Sequence, residues 1–362
     1  MKNSFGNSIT VTLFGESHGE YIGAVVDGLA PGIVIDHDYI KNKLAQRRPS
    51  GKISTARVEA DEYIIASGEF NGRTTGTPLT VLIKNTNKKS GDYEALLKTP
   101  RPSHADYAAI CKYHGYSDPR GGGHFSGRIT APLVFVGALL SSALMKKGIK
   151  IGTHILKIKD ICDRGFEDYE RDVCALDGML FPTLGEGVEE KMKALIERVA
   201  EDKDSVGGIL ESAVIGVPEG VGEPWFDTVE GMLSHALFSI PAIKGVEFGL
   251  GFGFGDSLGS IVNDPFAIKE GKVVTETNNN GGINGGITNG MPITFKCAVK
   301  PTPSIFKTQK SVDLSEMSNT EITIEGRHDP AIIHRVRSVV DAITAIVLAD
   351  MLTGRFGTDY LA

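Results

Sequence analysis

Residues 120–128 read RGGGHFSGR and lead into the apolar segment around which the chain is organised. From Ile129 to Lys147, leucine and valine recur at helical spacing, which predicts a helix. Consecutive glycines let backbone N–H groups crowd together, and a helix N-terminus adds unpaired N–H donors, so the loop predicts an anion site. A tight turn with surface arginines would explain the same residues. The segment has neither GxGxxG nor GxxxxGK[ST], so it indicates an anion without specifying a nucleotide.

Composition narrows the class of protein. The 362 residues are 41% hydrophobic and 23% charged, which is typical of a globular chain. A formal net charge of −7 gives no global basic field for nucleic acid, so an anionic ligand must be held by local cations. The 4 cysteines are scattered without a CxxC pair, which favours reduced thiols over disulfides or a metal site. We therefore expect a cytoplasmic protein that binds neither nucleic acid nor membrane, with residues 1–362 forming a single domain.

Basic side chains cluster on one irregular segment. Arg47, Arg48 and Lys52 lie on a stretch interrupted by proline and glycine, and Arg57 follows closely. This spacing does not match one solvated helix face, and arginine forks suit carboxylate and phosphate groups. The segment therefore favours anion binding, with surface solubility as the alternative.

Two histidines stand on loops of the kind that carry general acids and bases. His18 lies in GESHG at residues 15–19, and His104 lies in RPSHAD at residues 101–106, close to Arg101. Their pKa near neutrality suits proton transfer, whereas the alternative is a turn histidine bonded to the backbone.

Periodicity predicts mixed secondary structure. Strands are predicted at 9–14, 22–26, 59–69, 79–84, 207–217 and 295–299, and helices at 38–46, 189–204 and 228–239. Alternating Leu250, Phe252 and Phe254 predict a further strand within 249–259. A long C-terminal helix is predicted to begin with Asp329 as N-cap and Pro330 at the first helical position.

Seven motifs, taken together, resemble the chorismate synthase family. They are GESHG (15–19), RRPSGK (47–52), RPSHAD (101–106), RGGGHFSGR (120–128), NNNGGINGGI (278–287), KPTPS (300–304) and GRHDP (326–330). The resemblance runs from the N-terminus to the last helix. It implies an α+β fold, a layered β-α-β sandwich with helices between two antiparallel sheets, assembled as a homotetramer.

The resemblance also implies a reaction. The family converts 5-enolpyruvylshikimate 3-phosphate to chorismate by a 1,4-anti elimination of phosphate that requires reduced FMN without net redox change. The resemblance implies that His18 lies near the leaving phosphate, His104 at the N1/C2 carbonyl edge of the flavin, and Asp329 near flavin N5. The cations that it implies for substrate binding are Arg47, Arg48, Lys52, Arg57, Arg101, Arg128 and Arg327.

The FMN contacts implied by the resemblance are spread over several loops. They are His124, Phe125, Ser126, Pro241, Ala242, Gly285, Lys300, Pro301, Thr302, Pro303, Ser304 and Arg327. Some family members have Arg-Ser-Ser at 124–126 and Asn-Ala at 241–242, so the side-chain contacts there differ. Arg47 and Lys52 match positions assigned to NADPH in part of the family, but Lys52 replaces an arginine. A separate flavin reductase is therefore the expected source of reduced flavin, with NADPH as a candidate reductant.

Two other classes of protein use the same residue types. A flavin-dependent oxidoreductase acting on a phosphorylated substrate would consume reductant at each turnover. An anion- or RNA-binding protein would bind nucleic acid in a salt-sensitive way. The acidic net charge counts against the second class.

Overall fold

A computed structural model of the chain describes residues 2–49, 51, 53–54, 60–86, 98–324, 326 and 328–362. Within these residues the strands are β1 (Ser4–Phe5), β2 (Thr10–Gly15), β3 (Tyr21–Asp27), β4 (Tyr63–Ser67), β5 (Glu69–Phe70), β6 (Arg73–Thr74), β7 (Leu79–Lys84), β8 (Lys150–Ile158), β9 (Ile161–Cys162), β10 (Gly208–Ile215), β11 (Ile243–Phe248), β12 (Phe266–Lys269), β13 (Lys272–Thr275), β14 (Ile283–Asn284), β15 (Ile287–Thr288), β16 (Ile293–Val299), β17 (Gln309–Asp313) and β18 (Ser318–Ile322). The helices are α1 (His37–Arg47), α2 (Asp106–Tyr113), α3 (Thr130–Lys146), α4 (Tyr169–Ala175), α5 (Val188–Glu201), α6 (Val229–Leu237), α7 (Gly259–Val262) and α8 (Ile333–Phe356).

Two five-stranded antiparallel sheets enclose a helical layer. The first has the order β1-β2-β3-β7-β4, and the second has the order β11-β16-β10-β8-β9. Each sheet turns one apolar face inward: Leu79, Val81 and Ile83 alternate along β7 and are fully buried. Helix α3 packs on β3 and β7, while α8 packs on β8 and β10. The layered β-α-β prediction is therefore confirmed.

The two central helices approach each other unusually closely. A Cβ atom added to Gly137 of α3 would lie 2.3 Å from the Cα atom of Ala342 in α8, so only a glycine allows this contact. Helix α3 is buried on nearly all sides, because a sheet covers one face and α8 covers the other. Residues 127–146 are long and apolar enough to cross a membrane, with a mean hydropathy of 1.7 over the most apolar window, but 83% of that window is buried inside the protein. Burial in the core accounts for that apolar character.

The N-terminal segment is attached to the last helix through one carboxylate. Asp350 of α8 is 2% exposed and accepts hydrogen bonds from the backbone N–H groups of Asn7 (3.0 Å), Ser8 (2.6 Å) and Ile9 (2.8 Å). These bonds satisfy the charge of the buried acid. They fix where β2 begins relative to α8.

Two local predictions are wrong. Residues 251–256 form a 3₁₀ helix rather than a strand, and the strand lies earlier, at Ile243–Phe248. Helix α8 begins at Ile333 with Ile332 at the N-cap position and no side-chain cap. Asp329 does not cap it, because its carboxylate pairs with Arg335 instead.

We expect Gly137→Ala to destabilise the protein, although alanine is the better helix former by about 1 kcal/mol. The added methyl group would force the α3 and α8 backbones apart, at a cost of roughly 1–3 kcal/mol. Chemical denaturation would measure the free energy of unfolding. Gly354→Ala in α8 is the matched control, because the nearest atom to its Cβ is the Ser8 Oγ atom, at 3.2 Å. Equal effects of the two substitutions would contradict a backbone contact specific to Gly137.

Candidate active site

A cleft of about 1100 Å³ runs between the helical layer and several loops. The loops that line it come from distant parts of the sequence, at 103–105, 124–130, 240–244 and 302–304, with Gly121, Lys300 and Asp329 beside them. A wall of apolar side chains completes it: Val11, Leu13, Leu133, Val336, Val339, Ile343 and Ile346. The cleft therefore joins polar loops to an apolar floor.

The glycine loop adopts a conformation that other residues rarely adopt. Gly121, Gly122 and Gly123 have φ values of 61°, 84° and 56°. A Cβ at Gly123 would lie 2.0 Å from the Asp118 carbonyl oxygen, and one at Gly121 would lie 2.2 Å from the His18 ring. The triple glycine thus lets the loop fold over His18 and present Gly121 to the cleft.

His18 lies directly behind this loop. The residue is 4% exposed, and the neighbouring Ser17 backbone N–H donates to the Gly123 carbonyl at 3.0 Å. The structure therefore places the His18 ring against Gly121. Gly121 lines the cleft, and His18 lies behind it.

Arg47 and Arg128 both line the cleft and share one buried carboxylate. Asp61 accepts from Arg47 Nη2 at 3.0 Å and from Arg128 Nη1, while Arg48 Nε lies 3.7 Å from the same acid. Burial of Asp61 works to raise its pKa, but Arg47 and Arg128 overcome this and hold the pKa below its usual range. The predicted cationic segment therefore converges on Arg128 of the glycine loop. The other arginine of that loop, Arg120, pairs with Asp118 and is about half exposed.

His104 belongs to a second compact cluster, with Arg101 and Asp106. Arg101 donates to Asp106 from Nε and Nη2, both at 2.8 Å, and His104 Nδ1 lies 2.5 Å from Asp106 Oδ1. His104 Nδ1 is also 2.9 Å from Arg101 Nη2, but guanidinium can only donate, so the closer carboxylate makes Nδ1–H the donor. Burial would raise the pKa of Asp106, yet its bonds to Arg101 and His104 hold that pKa far below the usual range. The opposite ring nitrogen, Nε2, lies beside Gly122, and His104 is one of the residues that line the cleft.

The loops at 241–242 and 300–304 meet through the backbone. Ala242 has a φ of 76°, which is strained for a residue with a Cβ, and its carbonyl accepts from the Lys300 N–H at 2.9 Å. Lys300 Nζ donates to the Ser103 carbonyl at 2.6 Å. Burial, followed by repulsion from Lys244, lowers the Lys300 pKa. Pro241, Ala242, Lys300, Thr302, Pro303 and Ser304 all line the cleft, as do His124, Phe125 and Ser126.

Asp329 lies in the cleft and pairs with Arg335. Its Oδ2 accepts from Arg335 Nη1 at 2.5 Å, and Arg335 Nε donates to the Arg47 carbonyl at 2.9 Å. Arg335 thus links the predicted catalytic carboxylate to the predicted substrate-binding segment.

The remaining predicted site residues lie elsewhere. Gly285 is in the turn between β14 and β15, beside the start of α6, and does not line the described cleft. Pro301 packs against Gly207. Arg48 lies behind the cleft, with Nη2 donating to the Ala60 carbonyl. Lys52, Arg57 and Arg327 lie outside the described residues.

Sequence reasoning missed three polar residues that organise the site. Asp106 stands within the RPSHAD motif, two positions after His104, so the spacing itself was a signal. Arg335 follows Asp329 by six positions, but a wrongly assigned helix start hid their pairing. Asp61 had no local signal, because its partners are 14 and 67 residues away.

The comparisons with known proteins agree with this architecture. Residues 9–353 match the family model described as chorismate synthase. Chorismate synthases of Pyrococcus abyssi and Thermococcus gammatolerans are 47% and 46% identical, each over 97% of both chains. A solved crystal structure of a chorismate synthase superposes with a TM-score of 0.74 at 28% identity, covering 98% of this chain and 95% of the other.

The fold and the cleft are thus those of an enzyme built as a layered β-α-β sandwich. More particularly, the chain belongs to the chorismate synthase family. The comparisons do not favour the alternative of a flavin-dependent oxidoreductase.

We expect Asp106→Asn to lower the free energy of unfolding by about 1.5–3 kcal/mol, because it removes the charge-assisted bonds from the partly buried Arg101 guanidinium and weakens the bond from the His104 ring. The depressed pKa means that this stability is fully present above the unfolded pKa of about 3.9 and is lost only as pH falls through the folded value. The loss should therefore be the same at pH 5, 6, 7 and 8, as measured by denaturant titration.

Asp118→Asn is the matched control for Asp106→Asn. Asp118 makes the same forked bond to an arginine, but Arg120 is 48% exposed. A surface pair contributes about 0.2–1 kcal/mol. If both substitutions lower the free energy of unfolding equally, the bonds of Asp106 are not stronger than those of the exposed Asp118–Arg120 pair.

Proposed function

We propose that this protein eliminates phosphate from 5-enolpyruvylshikimate 3-phosphate by a 1,4-anti elimination, giving chorismate. The reaction is that of a carbon–oxygen lyase acting on a phosphate, in the shikimate pathway of aromatic amino-acid biosynthesis. The observation that carries the proposal is one cleft that combines paired arginines, a carboxylate-bound histidine and an acidic group.

The cationic end of the cleft suits the substrate. A phosphate and two carboxylates require several donors, and Arg47 and Arg128 line the cleft while Arg48 stands behind them. The His18 ring lies directly behind Gly121. It would stabilise a phosphate bound on the other side of the glycine loop. These groups stabilise the leaving group as its charge develops.

The other end suits a flavin. A volume of about 1100 Å³ exceeds the roughly 300–1,000 Å³ of a pocket for one ligand, so substrate and cofactor have room together. Reduced FMN would be held by residues 124–126, Pro241, Ala242, Lys300 and residues 302–304. When bound, it supplies the transient electron donation that this elimination requires.

The polar groups that face the cleft have separate tasks. His104 lines the cleft and Asp106 holds its Nδ1, so Nε2 is the ring nitrogen that would serve the bound flavin. Asp329 is held by Arg335 and would assist removal of the substrate proton near the flavin. We propose external reduction by a separate flavin reductase, with NADPH as a candidate reductant.

The first test is an anaerobic assay of purified protein with chemically reduced FMN and 5-enolpyruvylshikimate 3-phosphate. We expect many molecules of chorismate and phosphate for each flavin. Repeating the assay in air with NADPH tests for an intrinsic reductase. Stoichiometric flavin oxidation without chorismate would support an oxidoreductase instead.

We expect His104→Ala and Asp329→Ala to lower kcat about 100-fold or more while KM changes little, because each removes a proton-handling group. Arg48→Ala should instead raise KM. Steady-state kinetics with reduced FMN measures both constants. His114→Ala, which removes an exposed histidine, is the control. Unchanged kcat in both of the first two variants would exclude these roles.

A homotetramer is also proposed, because large apolar side chains are exposed between residues 225 and 268. A cytoplasmic location is proposed as well, from the composition of the chain. Trp225 is 86% exposed, Phe226 94% and Phe252 86%, and the following Leu258, Ile261, Phe266 and Ile268 are each more than 70% exposed. Such surface is typical of subunit contacts. Sedimentation equilibrium should give four times the mass of one chain, and Phe226→Glu should lower it. A monomer in the wild-type protein would contradict the proposal.

A further inference from the structure

Arginines from separate segments of the chain converge on the carboxylate of Asp61 beside the cleft. Its side chain has no exposed surface, and those of Arg47 and Arg128 are each 4% exposed. Oδ2 accepts from Arg47 at 3.0 Å and Oδ1 accepts from Arg128, so each carboxylate oxygen is bound to a different arginine. Arg48, from the end of α1, adds its Nε at 3.7 Å.

In this arrangement Asp61 positions the arginines, and the arginines are the residues that a ligand would contact. Among the described residues, Arg47 and Arg128 line the cleft, whereas Asp61 stands behind them. Further bonds fix the same two side chains: Arg128 Nε donates to Asn85 Oδ1 at 3.0 Å, and Arg47 Nη1 donates to the Gly127 carbonyl at 3.5 Å. A ligand can therefore meet the arginines without contacting the acid that orients them.

Charge explains why a buried acid belongs here. Guanidinium groups stay protonated, so crowding them without a counter-charge would drive them apart. Asp61 supplies such a counter-charge to Arg47 and Arg128, with Arg48 close by. The acid can therefore keep the arginines together before an anion arrives.

The backbone at Asp61 adds an independent observation. Its φ is 51°, in the left-handed region that most residues avoid and that aspartate and asparagine tolerate best. Strain of this kind persists only where the surroundings hold it, and it concentrates at functional sites. The conformation turns the carboxylate inward to Arg47 and Arg128.

We propose that Asp61 is a positioning residue that preforms an arginine pair for recognition of a phosphate group. The identity of the phosphate rests on the proposed function, but the preformed pair does not. A preformed site loses less side-chain freedom on binding, so the benefit should appear as affinity for the anion rather than as a faster chemical step.

The test is Asp61→Asn, which keeps the shape and the tolerance of a positive φ but removes the charge. We expect the Kd for 5-enolpyruvylshikimate 3-phosphate, measured by calorimetry, to rise about tenfold or more, and KM to rise with it. We expect kcat at saturation and the Kd for FMN alone to change less than about threefold. Inorganic phosphate serves as a second probe, whose weakened binding does not depend on the proposed reaction.

Asp172→Asn is the matched control. Asp172 is also a buried acid held by two arginines, Arg164 at 2.8 Å and Arg171 at 3.0 Å, but it lies on α4 and does not line the cleft. We expect both variants to lower the melting temperature, and only Asp61→Asn to weaken phosphate binding. A folded Asp61→Asn protein with unchanged affinity for both probes would overturn the proposal.

A measurement on the wild-type protein covers the case in which Asp61→Asn does not fold. NMR of the arginine Nε–Cζ groups should show restricted guanidinium rotation for Arg47 and Arg128 before any ligand is added. Free rotation of both groups would overturn preformation. If the wild-type protein binds inorganic phosphate but not the enolpyruvyl substrate, the proposed function fails while the role of Asp61 stands.

Discussion

The contact between Gly137 and Ala342 is the constraint on which the rest of the structure depends. Because a glycine on α3 meets α8 at backbone distance, the two helices form one thin layer between the sheets. The N-terminal end of α3 then carries the glycine loop, and the residues before α8 carry Asp329. The same close contact therefore brings the anion-binding loop and the cleft carboxylate to one edge of the sandwich.

Acidic residues organise a site whose ligands are themselves acidic. Asp61 holds Arg47 and Arg128, Asp106 holds Arg101 and His104, and Asp329 is held by Arg335. Each of these pairs restricts the rotation of a flexible charged side chain before any ligand binds. The cleft is thus basic in outline but depends on buried carboxylates for its geometry, which suits selective recognition of a shaped polyanion better than general attraction of anions.

The sequence indicated the groups that line the cleft better than it indicated what supports them. The glycine loop, His104 and the 300–304 loop could be predicted, because each sits in a motif whose residue types carry the chemistry. Among the described elements, periodicity predicted the long helices α1, α3, α5, α6 and α8 and the strands β2, β3, β4, β7, β10 and β16. It missed the long central strand β8 and most of the short elements. Asp61 could not be predicted, since its partners lie 14 and 67 residues away and only the folded chain joins them. The strand expected at 249–259 failed because glycine-rich alternation also fits a 3₁₀ helix.

The hydrogen bonds from residues 7–9 to Asp350 affect when the chain can fold during its synthesis. They join groups 341 to 343 residues apart, so the N-terminal segment finds its acceptor only after nearly the whole chain has been synthesised. The layer that separates the two sheets also needs α8, the last long element. Contacts at such separation make folding slow and leave apolar strands exposed meanwhile. Assembly of this sandwich must therefore wait for the synthesis of α8, and until then the apolar faces of β2 and β3 lack the layer that covers them.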